Sequence, residues 1–92
     1  MIRILIPTPL RAYTDKKSMV ELEATTVQEA LEKLMLGYPK ISKHILNNQG
    51  KLRSFINIYL KDEDIRFLQK EQTPLQDGDT LSILPSIAGG SV

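Results

Sequence analysis

The sequence predicts one small α+β domain, with one main helix packed on one face of a mixed sheet of four to five strands. Three observations support this prediction. The chain has only 92 residues, several short segments alternate between apolar and polar residues, and one segment has the residue spacing of an amphipathic helix. A domain of this length buries only about 60–65% of the surface of its unfolded chain. We therefore expect one thin core and no room for a large internal active site, which argues against a complete enzyme.

The first two strands are predicted at residues 2–6 and 18–23, where apolar side chains recur at every second position. Pro7-Thr8-Pro9 ends the first strand, and the polar residues 11–17 form a turn. Two such strands joined by a loop predict a hairpin. The inward positions are Ile2, Ile4, Ile6, Val20 and Leu22.

The main helix is predicted at residues 27–36. Thr26 and Glu29 have the spacing of a capping box, in which each side chain accepts a backbone donor at the start of the helix. Gly37 accepts a left-handed cap and Pro39 cannot continue the helix, so both predict its end. The apolar positions follow the three-to-four-residue spacing of one stripe and are Val27, Ala30, Leu31, Leu34 and Met35.

The second half of the chain predicts three further strands. They are residues 55–60, residues 65–67 after a tight turn at 61–64, and residues 80–84 between Asp77-Gly78-Asp79 and Pro85. The inward positions of the first are Ile56, Ile58 and Leu60. Before them we expect a short helical turn containing Ile41 and Ile45-Leu46, followed by a loop at 47–50.

The order of these elements is typical of the ubiquitin-like β-grasp fold, although other small α+β folds contain the same elements. One helix covers only one face of such a sheet. Period-two counting places Leu5, Phe55, Tyr59 and Leu84 on the other face, where Arg3, Asn57 and Ser82 interrupt them. An exposed apolar patch of this kind predicts a partner-binding surface. The alternative is a register shifted by one residue, which would place these side chains in the core.

Composition excludes several classes of function. The balance of 12 Lys+Arg against 11 Asp+Glu, with no basic run longer than two residues, argues against nucleic acid as the partner. No segment approaches the roughly 20 apolar residues of a membrane span, so we expect a cytoplasmic protein. We expect no metal site, because His44 has no ligand companions and the acids of Asp62-Glu63-Asp64 fall in a predicted turn. His44 is therefore expected to be an ordinary surface or half-buried residue.

The candidate reactive group lies in the last residues of the chain. Residues 1–85 form the predicted domain, and residues 86–92 form a flexible tail that contains Gly89-Gly90. The chance of finding a glycine pair this close to the end is about one in a hundred at average glycine usage. Glycine lacks a Cβ atom, so such a tail can enter a narrow channel of another enzyme.

Three blocks of the sequence resemble the ThiS/MoaD-type sulfur carriers, and most closely the CysO branch, which serves cysteine biosynthesis. The central block is the most specific to that branch, and the resemblance covers nearly the whole chain. The blocks are Ile6-Pro7-Thr8-Pro9-Leu10-Arg11, residues 55–67 (FINIYLKDEDIRF) and residues 77–90 (DGDTLSILPSIAGG).

The resemblance implies a protein co-substrate. An activating enzyme of the ubiquitin E1 type would use ATP to adenylate the Gly90 carboxylate, and sulfur would then replace AMP to give a thiocarboxylate. Gly89 would supply flexibility, and Ile87 and Ala88 would contact the partner. A pyridoxal-phosphate-dependent enzyme resembling cysteine synthase would accept the sulfur, and a JAMM-type metalloprotease would release cysteine. No cofactor would be bound by the carrier itself.

The chain departs from this pattern because Ser91 and Val92 follow Gly90. We expect cleavage between Gly90 and Ser91 to expose the reactive carboxylate, unless the two residues were added during cloning. Other functions remain open. The sulfur could serve molybdopterin, thiamine, methionine, tRNA or a specialised metabolite, or Gly90 could form an isopeptide bond as a ubiquitin-like modifier. A non-covalent interaction domain would not need the glycine pair at all.

Overall fold

A computed structural model describes residues 1–85, in which five strands and one main helix follow one another along the chain. The strands are β1 (Ile2–Leu5), β2 (Met19–Leu22), β3 (Ile56–Leu60), β4 (Glu63–Asp64) and β5 (Thr80–Pro85). The helices are α1 (Val27–Gly37) and the single turn α2 (Ser42–Ile45). Short 3-10 helices span Thr8–Tyr13, Pro39–Ile41, Ile65–Phe67 and Lys70–Gln72. The predicted β-grasp architecture is confirmed.

All five strands belong to one mixed sheet with the order β2-β1-β5-β3-β4. β1 and β5 are parallel, and the other neighbouring pairs are antiparallel, including the predicted hairpin of β1 and β2. Because β3 is antiparallel to β5, β3 begins at the end of the sheet where β1 and β5 finish. We call this the exit end, since the chain continues there from Pro85 towards its glycine pair.

The hydrophobic core lies between α1 and one face of the sheet. Burying a valine, leucine or isoleucine side chain contributes about 1.5–3 kcal/mol, so the buried aliphatic side chains of the strands and of α1 supply most of the stability of the domain. Val20, Leu22, Met35 and Leu60 pack against the core while remaining partly exposed. The alternation in the strands and the helical spacing therefore predicted the inward faces correctly. The buried members from these elements are Ile2, Ile4, Val27, Ala30, Leu31, Leu34, Ile56, Ile58, Leu81 and Ile83.

The start of α1 is confirmed in detail. The Thr26 hydroxyl accepts a hydrogen bond from the Glu29 backbone N–H at 3.2 Å, and the Glu29 carboxylate accepts one from the Thr25 N–H at 2.6 Å.

The predicted left-handed cap at Gly37 is wrong. Gly37 is the last residue of α1 and is not among the glycines with a positive φ. The helix stops because Pro39 begins a new 3-10 helix, while the Tyr38 N–H still bonds to Leu34.

The predicted strand at residues 65–67 is also wrong. The chain turns at Lys61, which has a φ of 58°, and pairs with β3 only through Glu63 and Asp64. The Asp64 carboxylate then accepts a hydrogen bond from the Arg66 N–H at 2.9 Å, which caps a 3-10 helix in place of a continued strand. A second 3-10 helix, Thr8–Tyr13, occupies part of the predicted polar turn and buries Leu10.

The segment between α1 and β3 folds much as predicted. Ile41 and Ile45 are fully buried, which fixes the 3-10 helix Pro39–Ile41 and α2 against the core. The loop at 47–50 closes with Gly50 at a φ of 77°. Gly78, with a φ of 91°, makes the predicted turn before β5.

Candidate functional site

The face of the sheet opposite α1 carries the predicted apolar patch. Leu5, Phe55 and Leu84 are 41%, 42% and 47% exposed, and Tyr59 is half-buried. Their neighbours along each strand are the buried ones, so the alternative register shifted by one residue is excluded. The patch is thus available to a partner, and its role in binding stays a prediction.

Strand pairing brings the members of this patch together. Ser82 of β5 pairs with Leu5 on one side and with Tyr59 on the other, so the three side chains form one row across the sheet. Leu84 pairs with Asn57, and Phe55 directly precedes β3. Leu84 and Phe55 therefore lie at the exit end, and Leu5 and Tyr59 lie one row further in.

Sequence reasoning missed Met19, which extends this row. Met19 of β2 pairs with Leu5 and is 39% exposed. The signal was present in the sequence, because placing Val20 and Leu22 inward points Met19 outward. The apolar row consequently spans β2, β1 and β3, and only Ser82 interrupts it.

Polar groups border the patch on two sides. Arg3 and Glu21 face each other across β1 and β2 at 3.6 Å. On the other side, the Arg66 guanidinium donates to Asp64 at 2.7 Å and also to the amide oxygen of Asn57. The hydrogen bonds from Arg66 to Asp64 hold the pKa of the Asp64 carboxyl below its usual range, and the same partner raises the pKa of Arg66. The patch therefore has charged borders on two sides.

The other candidate groups each have a separate structural surrounding among residues 1–85. His44 is half-buried, as predicted; its ring stacks on Tyr13 with centroids 4.1 Å apart, and its buried Nε2 has no hydrogen-bond partner among the described residues. Asp62 lies in the turn, while Asp64 binds Arg66. Within residues 1–85 no group of three or more metal-ligating side chains comes together. In the same part of the chain no helix is long and apolar enough to cross a membrane.

The predicted tail residues lie outside the described part of the chain, namely Ile87, Ala88, Gly89, Gly90 and Ser91. β5 ends at Pro85, which pairs with Ile56 at the start of β3. The structure therefore fixes where the tail begins, namely at the exit end, between the neighbouring strands β1 and β3 and beside the apolar patch. The roles of the tail residues stay predictions.

Comparison with known proteins decides the family. The sequence profile of the ThiS family matches residues 4–90. The chain belongs to the ThiS family. Its match to this family covers both the β-grasp domain and the glycine pair, and it ends at Gly90.

Individual relatives are similar over nearly the full length. The chain is 37% identical over 91 residues to the sulfur carrier protein CysO of Mycobacterium tuberculosis, covering 97% of this chain and 98% of that protein. A chain in the crystal structure of the Amycolatopsis orientalis BexX/CysO complex superposes with a TM-score of 0.88 at 38% identity, covering 98% of this chain and 100% of that chain. The small archaeal modifier protein 1 of Methanosarcina acetivorans superposes with a TM-score of 0.87 at 26% identity, covering 97% and 95%.

These similarities identify the chain as a CysO-like member of the ThiS family of sulfur carriers. A member of this family is a small ubiquitin-like carrier and not a catalyst, which agrees with the thin core and the absence of a large internal site expected from the chain length.

Proposed function

We propose that this chain carries sulfur as a thiocarboxylate on Gly90 and delivers it to cysteine biosynthesis. The observation that carries the proposal is the near full-length similarity to CysO of Mycobacterium tuberculosis, together with a family match that ends at Gly90. The exposed patch and the position of the exit end fit a protein that presents its last residues to other enzymes.

Each step of the proposed chemistry has a chemical reason. A carboxylate is a poor electrophile, so an E1-like enzyme first transfers AMP from ATP to the Gly90 carboxylate and releases pyrophosphate. Hydrosulfide then displaces AMP at the carbonyl carbon, which leaves a thiocarboxylate that is ionised and nucleophilic at neutral pH. On a pyridoxal-phosphate-dependent enzyme, the thiocarboxylate sulfur forms a bond to a serine-derived acceptor that has lost its own leaving group, so the new cysteine is still joined to the Gly90 carbonyl. A JAMM-type metalloprotease hydrolyses that bond and releases cysteine. ATP is thus a substrate of the activating enzyme and not a ligand of this chain.

Adenylation at Gly90 requires that no residue follows it. We therefore propose that cleavage of the Gly90–Ser91 bond precedes activation and removes Ser91-Val92. A metalloprotease of the same type fits this step, since it would act on the peptide bond that follows the same glycine pair.

The test is the intact mass of the protein isolated from its own cells, combined with labelling by a thiol-reactive reagent. The chain contains no cysteine, so such a reagent can label only a thiocarboxylate or another sulfur acquired after synthesis. We expect a species that lacks Ser91 and Val92 and carries one sulfur in place of one oxygen. The matched control replaces Gly90 by Ala and should acquire no label. A chain that keeps both residues and never gains sulfur would refute the proposal.

A second candidate function is protein modification, in which Gly90 forms an isopeptide bond with a lysine of a target protein. The structural similarity to a small archaeal modifier protein favours this candidate. The two candidates share activation at Gly90 but differ in product. Labelling of the free chain supports sulfur transfer, whereas a ladder of covalent adducts that is lost on replacing Gly90 supports modification.

A further inference from the structure

Two segments that are distant in sequence bring basic side chains together at the exit end. The segments are residues 8–17 and 39–55, and Asp15 is the one carboxylate in them. We call the basic side chains of these segments that lie at the exit end the cationic end. Its members are Arg11, Lys16, Lys17, Lys40, Lys43 and Arg53. Lys51 is not one of them, because it lines a cleft with Glu32 of α1 and with Glu71.

Stacking and backbone hydrogen bonds hold the two segments together. The ring of Tyr13, the last residue of the 3-10 helix in the first segment, stacks on His44 of the second. Within the second segment, the Arg53 N–H donates to the Ile45 carbonyl at 2.8 Å, which folds the residues after α2 back onto it. The cationic end is therefore one continuous surface formed by tertiary structure, which explains why the sequence alone showed no basic run.

The two arginines of this surface are held in fixed positions. Arg11 Nε donates to the Ile6 carbonyl at 3.0 Å, and Arg53 Nε donates to the Lys43 carbonyl at 3.0 Å. Each guanidinium is anchored through one nitrogen, and its terminal nitrogens make no hydrogen bond or ion pair within residues 1–85. Lys40 and Lys43 are exposed and likewise form no ion pair among the described residues. A preformed cationic surface without an internal counterion is suited to an anionic partner.

The opposite end of the sheet carries four acidic side chains, of which two are ion-paired. Asp77 and Asp79 precede β5 and pair with the N-terminal ammonium and with Lys61. Asp62 in the turn after β3 and Glu63 at the start of β4 are exposed and form no ion pair among residues 1–85. Because the acids and the cationic end lie at opposite ends of the strands, the domain has a charge separation along the strand direction. Its positive pole coincides with the end from which the chain continues beyond Pro85. Such a separation orients a molecule as it approaches a charged partner.

We propose, on the basis of the sulfur-carrier function above, that the cationic end docks on an acidic rim around the tail-binding channel of the E1-like activating enzyme. The partner is thus an enzyme with Asp and Glu side chains around the entrance to its adenylation site. Attraction between the two surfaces aligns the tail with the channel before the short-range contacts of the apolar patch form.

A protein surface fits the cationic end better than a nucleic acid does. Recognition of single strands combines basic groups with aromatic rings on which bases stack. Here the Tyr13 ring is covered by His44, and the acids at the other end of this small domain would repel a long polyanion. A compact acidic surface avoids both problems.

The test compares Lys43→Glu with Lys70→Glu in ATP–pyrophosphate exchange by the E1-like enzyme of the same cells, using the chain processed to Gly90. Both lysines are exposed and both substitutions change the net charge equally, but Lys70 lies in a 3-10 helix packed near the start of α1, away from the exit end. We expect Lys43→Glu to raise the KM for the carrier roughly ten-fold at low salt with kcat unchanged. Lys70→Glu should leave the KM nearly unchanged, and added salt should reduce the difference between the variants.

Two results would overturn the docking proposal, and a third would overturn the carrier function on which it rests. Equal KM values for the two variants would refute docking through the cationic end. An unchanged KM together with lost binding of a single-stranded RNA oligonucleotide by Lys43→Glu would assign the surface to nucleic acid instead. A chain that supports no exchange in its unsubstituted form would refute the carrier function itself. That last result comes from the unsubstituted chain, so it cannot be confused with a difference between Lys43→Glu and Lys70→Glu.

Discussion

Replacing Asp64 by Asn tests the network that borders the apolar patch. Asp64 is 6% exposed and accepts hydrogen bonds from the Arg66 N–H at 2.9 Å and from its guanidinium at 2.7 Å. Asn has nearly the same shape and can still accept the backbone bond, so the substitution removes mainly the charge. A hydrogen bond to a charged group contributes about 1.5–3 kcal/mol. Because the Arg66 side chain is 58% exposed and solvent screens its charge, we expect a loss of about 1.5 kcal/mol.

The assay is urea unfolding followed by far-ultraviolet circular dichroism, since the chain has no tryptophan. With a denaturant dependence of about 1 kcal/mol per molar urea for a chain of this size, the midpoint at neutral pH should fall by roughly 1.5 M. Asp62→Asn removes the same charge from an exposed turn residue and serves as the matched control. We expect it to change the midpoint by less than about 0.5 M.

The pH dependence gives a second measurement. The pKa of Asp64 is lower in the folded chain than its ordinary value, chiefly because of its side-chain hydrogen bond to Arg66. As the pH falls, the unfolded state is protonated first. The stability from Asp64 is therefore complete above the ordinary carboxyl pKa and is lost as the pH falls through the lower, folded pKa. The stability curves of the unsubstituted chain and Asp64→Asn should converge in acid, and curves that stay parallel would contradict the role assigned to this carboxylate.

Two further substitutions test the patch and the helix start. Tyr59→Glu should abolish binding to the activating enzyme and leave the circular dichroism spectrum unchanged, because the Tyr59 side chain lies on the open face of the sheet. The control is Leu36→Glu, at an exposed position on α1, which should still bind. Unfolding of Tyr59→Glu would show that Tyr59 supports the core instead. Thr26→Ala removes the acceptor for the Glu29 N–H and should lower the free energy of unfolding by about 1 kcal/mol. Thr8→Ala should have little effect on the same urea midpoint, and an equal loss in both variants would refute the cap.

The sequence predicted those parts of the fold that depend on local periodicity. The core faces of β1, β3 and α1 follow from spacing alone, because a one-residue shift would expose every apolar side chain of a strand. The failures occur where one local signal competes with another. Residues 65–67 alternate like a strand, but the Asp64 carboxylate caps the chain into a 3-10 helix. Gly37 permits a left-handed cap, but it is the last residue of α1, because the helix continues until Pro39 prevents a further turn.

The candidate site shows the same division. The apolar patch was predictable, since its members lie in strands with a clear alternation or, for Phe55, directly before one. The cationic end was not, because it depends on which end of the sheet each segment reaches. Parallel pairing of β1 with β5 places the residues after β1 beside the residues before β3. No local pattern in the sequence predicts this pairing.

The apolar patch and the cationic end meet at the place where the tail begins. Phe55 and Leu84 of the patch lie at the exit end, and the Ile56 N–H donates to the Arg53 carbonyl at 3.0 Å, which joins the start of β3 to the cationic end. The activating enzyme proposed above would therefore meet both surfaces where it receives the end of the chain. Charge attraction acts over about 10 Å at moderate salt and governs the rate of encounter, whereas burial of the patch requires contact and governs the rate of dissociation. A carrier that passes from one enzyme to the next, as proposed for this chain, would benefit from this separation, because fast association does not then require slow release.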